Sequence, residues 1–160
     1  PNDKRAAEIA AVFNAPITLE SKLIDRSLRK EAYKMGKSIV VYEGGESMRF
    51  DELSIKNGIE GAKRVLKHFG MIETAKASSE SVYCQESTWI RAKRSGLFQA
   101  EISSGEKVKK DDVLARITDP FGKSDVKIKA PEDGIIVGHS NAPLVNQGDA
   151  LFHLGMVRED

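Results

Sequence analysis

Two acidic residues, Glu43 and Glu46, flank a pair of glycines directly after an apolar run. The run over 39–42 is rich in β-branched residues and predicts a buried strand that ends at Glu43. Gly44 and Gly45 allow the backbone to turn tightly or to approach a ligand closely. Sites in α/β folds form at the carboxyl ends of strands, so Glu43 is a candidate catalytic residue. The alternative is that both acids are solvated turn residues.

The elements that must position Glu43 follow from capping residues and apolar spacing. Asp3 and Asp51 are suited to cap helices, and the helix after Asp51 carries an apolar stripe that includes Ile55, Ile59 and Leu66. The predicted order is a helix from 3 to 14, a strand over 17–19, a helix over 28–36, the strand over 39–43 and a helix over 51–70. This α-β-α-β-α order predicts two parallel strands joined by a helical crossover, so the first half is predicted to be α/β.

Such a unit is too small to be stable alone. Two parallel strands cannot be buried on both faces by three helices, and little apolar surface would leave water. We therefore expect the sheet to continue in strands that this sequence lacks. The chain, which begins with Pro1, is expected to be the C-terminal part of a larger protein or to pair with another chain.

The second half has a different pattern. Residues 74–81 are polar and read as a linker, which separates predicted domains over 1–73 and 82–157. Short β-rich runs broken by Gly, Pro and Asp then predict an all-β domain. The predicted strands cover 82–84, 89–92, 96–100, 113–117, 126–128, 135–137 and 150–154.

A weak internal repeat runs through this half. Val108, Asp112, Leu114 and Ile117 recur as Val145, Asp149, Leu151 and Leu154, each 37 positions later (145 − 108, 149 − 112, 151 − 114, 154 − 117). A tandem of similar β units predicts a sandwich with pseudo-two-fold symmetry, although short alternating patterns also recur by chance.

Composition limits the function. The 160 residues are 40% apolar and 31% charged, with a net charge of +1, so nucleic acid is not an expected partner. Cys84 is the single cysteine, which excludes an internal disulfide and favours a reducing, cytoplasmic setting. No apolar run is long enough to span a membrane, so no membrane partner is expected.

Two blocks of sequence resemble a known family. The segments over 27–29, 39–45 and 51 onwards resemble the C-terminal part of the catalytic domain of the succinylglutamate desuccinylase/aspartoacylase family. The segments over 104–108, 112–114, 130–134 and 145–151 resemble a biotinyl/lipoyl-type barrel-sandwich hybrid. Together these blocks cover most of the chain in the order found in the family.

The resemblance implies a zinc carboxypeptidase-like fold and hydrolysis of N-acyl amino acids or related amides with one zinc ion. It implies that Glu43, with Gly45 after it, is the general base that activates zinc-bound water. Arg29 corresponds to a family arginine ahead of the catalytic strand and is expected to bind a substrate carboxylate. Arg26 and Arg49 are weaker candidates, and Glu46 is a candidate for a supporting role.

The sequence departs from the family at the metal site. Zinc needs about three protein ligands, typically two histidines and a glutamate, whereas His68, His139 and His153 have no such spacing. His68 is expected to be a surface or helix-capping residue. We therefore expect no zinc ligands in this chain, and expect the chain alone to be inactive.

Two other functions compete with this prediction. A biotinyl or lipoyl carrier would need an exposed hairpin lysine, but Lys123 follows the turn residues of 118–124 and lacks flanking methionines. A non-catalytic module would use Trp89, Phe98 and Phe121 at a binding or oligomer interface, or would place a loop over the active site. A homo-oligomer is compatible with each of these readings.

Overall fold

The computed structural model describes residues 3–77 and 81–157. The chain forms two compact units, Pro1–Val82 and Tyr83–Asp160. The first contains helices α1 (Lys4–Phe13), α2 (Leu28–Lys34) and α3 (Glu52–His68) and strand β1 (Ile17–Leu19), which pairs with the start of β2 (Val82–Cys84). Part of the predicted linker, 78–80, lies outside the described residues.

The predicted helix caps are confirmed. The Asp3 carboxylate accepts a hydrogen bond from the Ala6 N–H (3.0 Å), and the Asp51 carboxylate accepts one from the Ser54 N–H (2.6 Å). Each side chain satisfies a backbone donor that the first helical turn leaves unpaired. Asn14 ends α1 in the left-handed conformation, with φ at 52°. Asparagine is one of the residues that adopt this conformation at helix ends.

Two glycines inside α3 create a notch for two aromatic rings. A Cβ at Gly61 would lie 2.5 Å from the Phe13 ring, and a Cβ at Gly58 would lie 3.0 Å from the Tyr42 ring. The centroids of these two rings are 5.1 Å apart. The Arg64 guanidinium, one turn further along α3, donates to the Phe13 carbonyl oxygen and completes the end of α1. This packing holds α1 and the segment at Tyr42 against α3.

The predicted buried strand over 39–43 is wrong for this chain. These residues form no strand, and β1 pairs with β2 instead of with them. Val41 is 59% exposed, and Glu43 is exposed as well. A β-branched run becomes a strand only when neighbouring backbone satisfies its N–H and C=O groups, and no described residue does so here.

The first unit buries few apolar side chains. Among residues 3–77, only Ala32 has a buried apolar side chain, at 9% exposure. The stripe predicted as the core face of α3 is open, since Ile55 and Ile59 are 45% and 51% exposed. The glycine face of α3 packs against Phe13 and Tyr42, whereas Ile55 and Ile59 on the apolar stripe remain about half exposed.

The second unit is all-β. Its strands after β2 are β3 (Glu86–Arg91), β4 (Gly96–Ala100), β5 (Lys107–Val108), β6 (Val113–Thr118), β7 (Asp125–Lys129), β8 (Gly134–His139), β9 (Leu144–Val145) and β10 (Ala150–Met156). All seven predicted strands are present: those over 82–84 and 96–100 have the predicted ends, and the other five have shifted ends. The two-residue strands β5 and β9 were not predicted, because two residues carry no readable alternation.

The sheet order confirms the internal repeat. One four-stranded sheet has the order β3-β10-β8-β5, and the other has the order β7-β6-β4-β9. Strands β3–β6 form the first half of the repeat and β7–β10 the second. When each strand is replaced by its counterpart in the other half (β3 by β7, β4 by β8, β5 by β9 and β6 by β10, and the reverse), the order of the first sheet becomes that of the second. The six pairs of neighbouring strands in these sheets are all antiparallel. The two sheets therefore have equivalent topologies, as the pseudo-two-fold repeat predicts.

The repeat extends to individual hydrogen bonds. The Asp112 carboxylate accepts from the Lys109 N–H at 2.7 Å, and the Asp149 carboxylate accepts from the Asn146 N–H at the same distance. Both aspartates stabilise the turn that leads into a central core strand. Their recurrence in the sequence therefore reflects a turn requirement as well as apolar alternation.

The core of this unit lies between its two sheets. Leu114, Ile117, Leu151 and Leu154 are fully buried there, and the ring of Phe98 meets that of Phe152 edge-on at 5.9 Å. The interface role considered for Phe98 is therefore wrong, because its side chain belongs to the core. Trp89 and Phe121, the other two aromatic residues of that hypothesis, are 53% and 82% exposed.

None of the helices within 3–77 and 81–157 combines the length and apolar character needed to cross a bilayer.

Replacing Gly96 by alanine is expected to destabilise the β unit by about 1–3 kcal/mol, the usual cost of overpacking. The added Cβ would lie 2.5 Å from the Thr118 carbonyl oxygen, which is rigid backbone of the neighbouring strand. Gly138→Ala is the matched control, because a Cβ there meets no atom within 4 Å. Urea unfolding measures both variants, and equal effects would contradict the packing argument.

A polypeptide covering residues 81–160 is expected to fold alone, because its buried apolar side chains form one continuous core. Circular dichroism should show a β-type spectrum and a single cooperative melt. A spectrum of a disordered chain would place the domain boundary elsewhere.

Candidate active site

A shallow, solvent-open depression lies where the segment after Tyr42 meets the start of α3. It is bordered by one tyrosine, two glycines, an ion pair and the first turn of the helix. The lining residues are Tyr42, Gly44, Gly45, Glu46, Arg49, Phe50, Asp51, Ser54 and Ile55. The depression is thus built from the glycine turn that the sequence singled out.

Tyr42 anchors one side of the depression. Its hydroxyl donates a hydrogen bond to the Ser54 carbonyl oxygen at 2.8 Å. Partial burial raises the pKa of this phenol, because the neutral form is favoured away from water. The contact ties the glycine turn to α3 across twelve positions of sequence.

The two glycines allow this close approach. A Cβ at Gly44 would lie 3.0 Å from the Tyr42 hydroxyl and 3.1 Å from the Ser54 Cβ. Gly45 has φ at +83°, which a side chain rarely adopts, and a Cβ there would lie 3.2 Å from that of Asp51. Gly45 therefore favours glycine for its backbone conformation, and a side chain at Gly44 would require Tyr42 or Ser54 to shift by a few tenths of an ångström, independently of any ligand.

Asp51 stabilises the other side of the depression as the cap of α3. Hydrogen bonds from the Ser54 side chain and backbone lower the pKa of its carboxyl group below the ordinary 3.8. A lowered native pKa stabilises the fold above that ordinary value, and the contribution is lost as the pH falls through the native pKa. The start of α3 is therefore stabilised at neutral pH and loosens in acid below about pH 4.

Glu43 itself is exposed and does not line the depression. Within 3–77 and 81–157 it has no hydrogen bond or ion pair, so none of these residues holds its carboxylate. It directly precedes Gly44, which does line the depression. The backbone therefore brings Glu43 to the edge of the depression, and the described contacts leave its side chain in solvent.

The arginines are distributed differently from the prediction. The Arg29 guanidinium donates to the Lys22 carbonyl oxygen at 3.2 Å and is not part of the depression. Arg26 does not line it either, whereas Arg49 does and forms an ion pair with Glu46. The substrate-binding role of Arg29 stays a prediction, whereas Arg49, the weaker candidate, lies in the depression. The sequence feature that indicates Arg49 is its position three residues after Glu46, in the loop between the glycine pair and the cap of α3.

The described residues do not fit a zinc ion. Within 3–77 and 81–157, no group of three or more His, Cys, Asp or Glu side chains could hold a metal. Each histidine has another contact: His68 with Glu8 at 2.7 Å, His139 with Ser104 at 2.8 Å, and His153 stacked on Trp89 at 4.3 Å.

Comparison of the sequence with protein-family models gives no match, and comparison with curated proteins gives no significant match. Solved structures do match. The ectoine utilization protein EutE (DoeB) of Ruegeria pomeroyi has a TM-score of 0.84 at 27% identity, over 98% of this chain and 52% of its own. A succinylglutamate desuccinylase from Silicibacter has a TM-score of 0.82 at 25% identity, over 99% of this chain and 51% of its own.

A third match is a succinylglutamate desuccinylase/aspartoacylase from Rhodobacter sphaeroides. At 22% identity and a TM-score of 0.82, it shows the likeness of fold alone. The chain thus has the fold of about half of a desuccinylase/aspartoacylase hydrolase. It spans about half of the length of the structures that it matches.

Tyr42→Phe tests whether the glycine turn depends on its bond to α3. The change removes one exposed hydrogen bond, so the expected loss of unfolding free energy is about 0.5 kcal/mol, near the lower limit for such bonds. Amide resonances of Gly44 and Gly45 should shift. Tyr33→Phe is the control, since Tyr33 is 48% exposed on α2, away from the depression. Unchanged glycine resonances would contradict the anchoring role.

Proposed function

We propose that this chain is the C-terminal part of an amidohydrolase that cleaves an N-acyl amino acid or a related amide. The observation that carries the proposal is the position of Glu43. It stands at the edge of a depression with a close-packed glycine turn, in a chain whose fold matches desuccinylase structures along nearly its whole length. Glu43 acts as general base, and Arg29 binds a substrate carboxylate.

Glu43 is suited to move a proton. A carboxylate beside the scissile amide accepts a proton from the attacking water and then donates it to the leaving amine. Gly44 and Gly45 carry no side chains that would block a substrate at this edge. This role requires the Glu43 carboxylate to have a fixed orientation, and none of the described contacts fixes it.

The exposed apolar surface of the first unit supports the proposal that another part of the complete protein covers it. Val41, within the segment predicted as a strand, is exposed, and the apolar stripe of α3 is exposed as well. A strand from the rest of the protein would satisfy the backbone over 39–43 and would orient Glu43. The large exposed apolar area is a feature of surfaces that bind protein.

Zinc, which activates water in hydrolases of this class, would be held by residues outside this chain. The described residues offer no ligand set, so the chain by itself is proposed to be inactive. The substrate is proposed to be a small N-acyl amino acid-like molecule.

Glu43→Gln in the complete protein is expected to lower kcat by about 10²–10⁴-fold, the usual contribution of a general base. Glutamine keeps the shape of the side chain but cannot accept the proton. Steady-state kinetics on an N-acyl amino acid measure the loss, and metal analysis should find the zinc content unchanged.

Glu52→Gln is the matched control, because Glu52 is an exposed acid in the first turn of α3 and does not line the depression. It should retain near-normal turnover. Normal turnover in Glu43→Gln, or zinc loss in proportion to activity, would contradict the role of general base.

The β unit is proposed to be a biotinyl/lipoyl-like module without a carried group, which acts in binding or gating. Lys123 lies in the hairpin between β6 and β7, the hairpin that would present a carrier lysine, but it follows the turn residues. Asp119 holds this turn by accepting from the Phe121 N–H at 2.8 Å and the Ser124 hydroxyl at 2.7 Å. The ammonium group of Lys123 lies 5.9 Å from the centre of the Phe121 ring. The exposed Phe121 therefore occupies the space beside the lysine.

Lys123 is expected to remain unmodified when the chain is co-expressed with a biotin ligase or, separately, with a lipoyl ligase. The hairpin lacks the flanking methionines of biotin carriers, and Lys123 follows the Pro-Phe-Gly turn instead of standing at its tip. Intact-mass measurement should show no adduct. An adduct that disappears in Lys123→Arg would restore the carrier function.

A further inference from the structure

Three of the four edge strands of the β unit are protected against pairing with another chain. β5 and β9 have two residues each, and β7 carries Lys127 and Lys129. Short strands and lysines are common means by which proteins keep an open strand edge from binding further strands. The fourth edge strand, β3, has six residues without lysine or proline, and within 3–77 and 81–157 it pairs only with β10. Pairing with another strand is therefore least opposed at β3.

The internal repeat shows where β3 departs from its counterpart β7. Trp89 lies opposite His153 in one sheet, and Lys127 lies opposite Arg116 in the other. His153 and Arg116 are separated by the offset of the repeat (153 − 116 = 37). Trp89 therefore occupies in β3 the position that the protective Lys127 occupies in β7.

The indole ring of Trp89 is exposed and is nevertheless held in place. It is 53% exposed and stacks on the His153 imidazole, with the ring centroids 4.3 Å apart and the planes 8° from parallel. The next residue, Ile90, packs against the core, so Trp89 lies on the opposite face of the sheet. Because the stack already restricts the ring, burying it against another molecule would cost little further side-chain entropy.

The backbone of β3 determines which groups its open edge presents. Ala92, the residue after β3, exchanges hydrogen bonds of 2.8 and 2.9 Å with the turn that leads into β10, so both of its backbone groups face β10. The direction of these groups alternates along an antiparallel strand. The N–H and C=O groups of Ser87, Trp89 and Arg91 therefore face the open edge. The close stacking of Trp89 on His153 agrees, since side chains lie closer in pairs without backbone hydrogen bonds.

We propose that β3 is a self-association edge at which two copies of this chain pair antiparallel, related by a two-fold axis between their Trp89 residues. Full overlap of the two strands places Trp89 opposite the second copy's Trp89 and Ser87 opposite the second copy's Arg91. The residues that face the open edge then exchange backbone hydrogen bonds with one another. Each copy uses its β3 edge once, so the association stops at a dimer.

The side chains of the edge favour a second copy as the partner. The two tryptophans would form an aromatic pair, and each Arg91 would lie diagonal to the other copy's Trp89, where a cation can contact the ring. The Arg91 guanidinium is held near this edge by donating to the Gly148 carbonyl oxygen at 2.9 Å. The equivalent pairing of β7 would set Lys127 against its own copy, and opposed like charges are unfavourable. The repeat therefore has one edge suited to self-pairing and one that opposes it.

The experiment is sedimentation velocity of the 160-residue chain over a range of concentrations. A dimer should form with a Kd on the order of 0.1 mM, because one pair of edge strands buries less surface than a standard interface. In ¹H–¹⁵N NMR, rising concentration should shift the amides of Ser87, Trp89 and Arg91 more than those of Thr88 and Ile90, which face β10. Trp89 is the single tryptophan, so a blue shift of its emission reports the same event.

Variants of the edge test the pairing directly. Trp89→Lys copies the counterpart position in β7 and should weaken dimerisation by about ten-fold or more. Ser87→Pro keeps the indole, removes only an N–H that faces the open edge and should weaken dimerisation by a similar factor. Leu144→Lys is the matched control, because it adds the same charge at a 66% exposed position of the edge strand β9. It should dimerise as the unmodified chain does.

Three outcomes would overturn the inference. The first is a chain that stays monomeric at concentrations well above the expected Kd. The second is dimerisation that Trp89→Lys and Ser87→Pro leave unchanged, or that Leu144→Lys weakens equally. The third is association that is lost in Ile59→Lys but kept in Trp89→Lys, which would place the contact on the exposed stripe of α3. None of these measurements depends on the proposed hydrolase activity.

Discussion

The packing of Phe13 and Tyr42 against Gly58 and Gly61 is the contact on which the first unit depends. A methyl group at Gly61 would collide with the Phe13 ring, so α1 reaches α3 only because the helix lacks side chains there. Glycine costs about 1 kcal/mol in a helix interior, and ring packing offsets this cost. Since Tyr42 fills the same notch, the contact also places the glycine turn and hence the edge of the site.

The two units achieve stability in different ways. In the β unit, each half of the repeat covers the other, and a continuous core fills the space between the sheets. The first unit has capped helices and an aromatic notch but hardly any buried apolar side chain within 3–77. Local hydrogen bonds define its elements, whereas burial of its apolar stripe and of residues 39–43 requires atoms that the described chain does not supply.

The candidate site shows the same division between local and distant determinants. The cap at Asp51, the ion pair of Glu46 and Arg49, and the bond from Tyr42 to Ser54 are local or nearly local contacts. They shape the depression without help from elsewhere. The orientation of Glu43 has no such support, so the chemistry proposed for this residue depends on the complete protein.

Helix caps, strands in the second half and the repeat at an offset of 37 were readable from the sequence, because each reflects a local periodicity or turn preference. The sequence also identified the turn at Gly44 and Gly45. Only the tertiary structure decided that 39–43 form no strand, that Phe98 belongs to the core and that Arg49 rather than Arg29 lines the depression. Strand formation and side-chain burial depend on partners distant in sequence, and apolar periodicity does not say whether such partners are present.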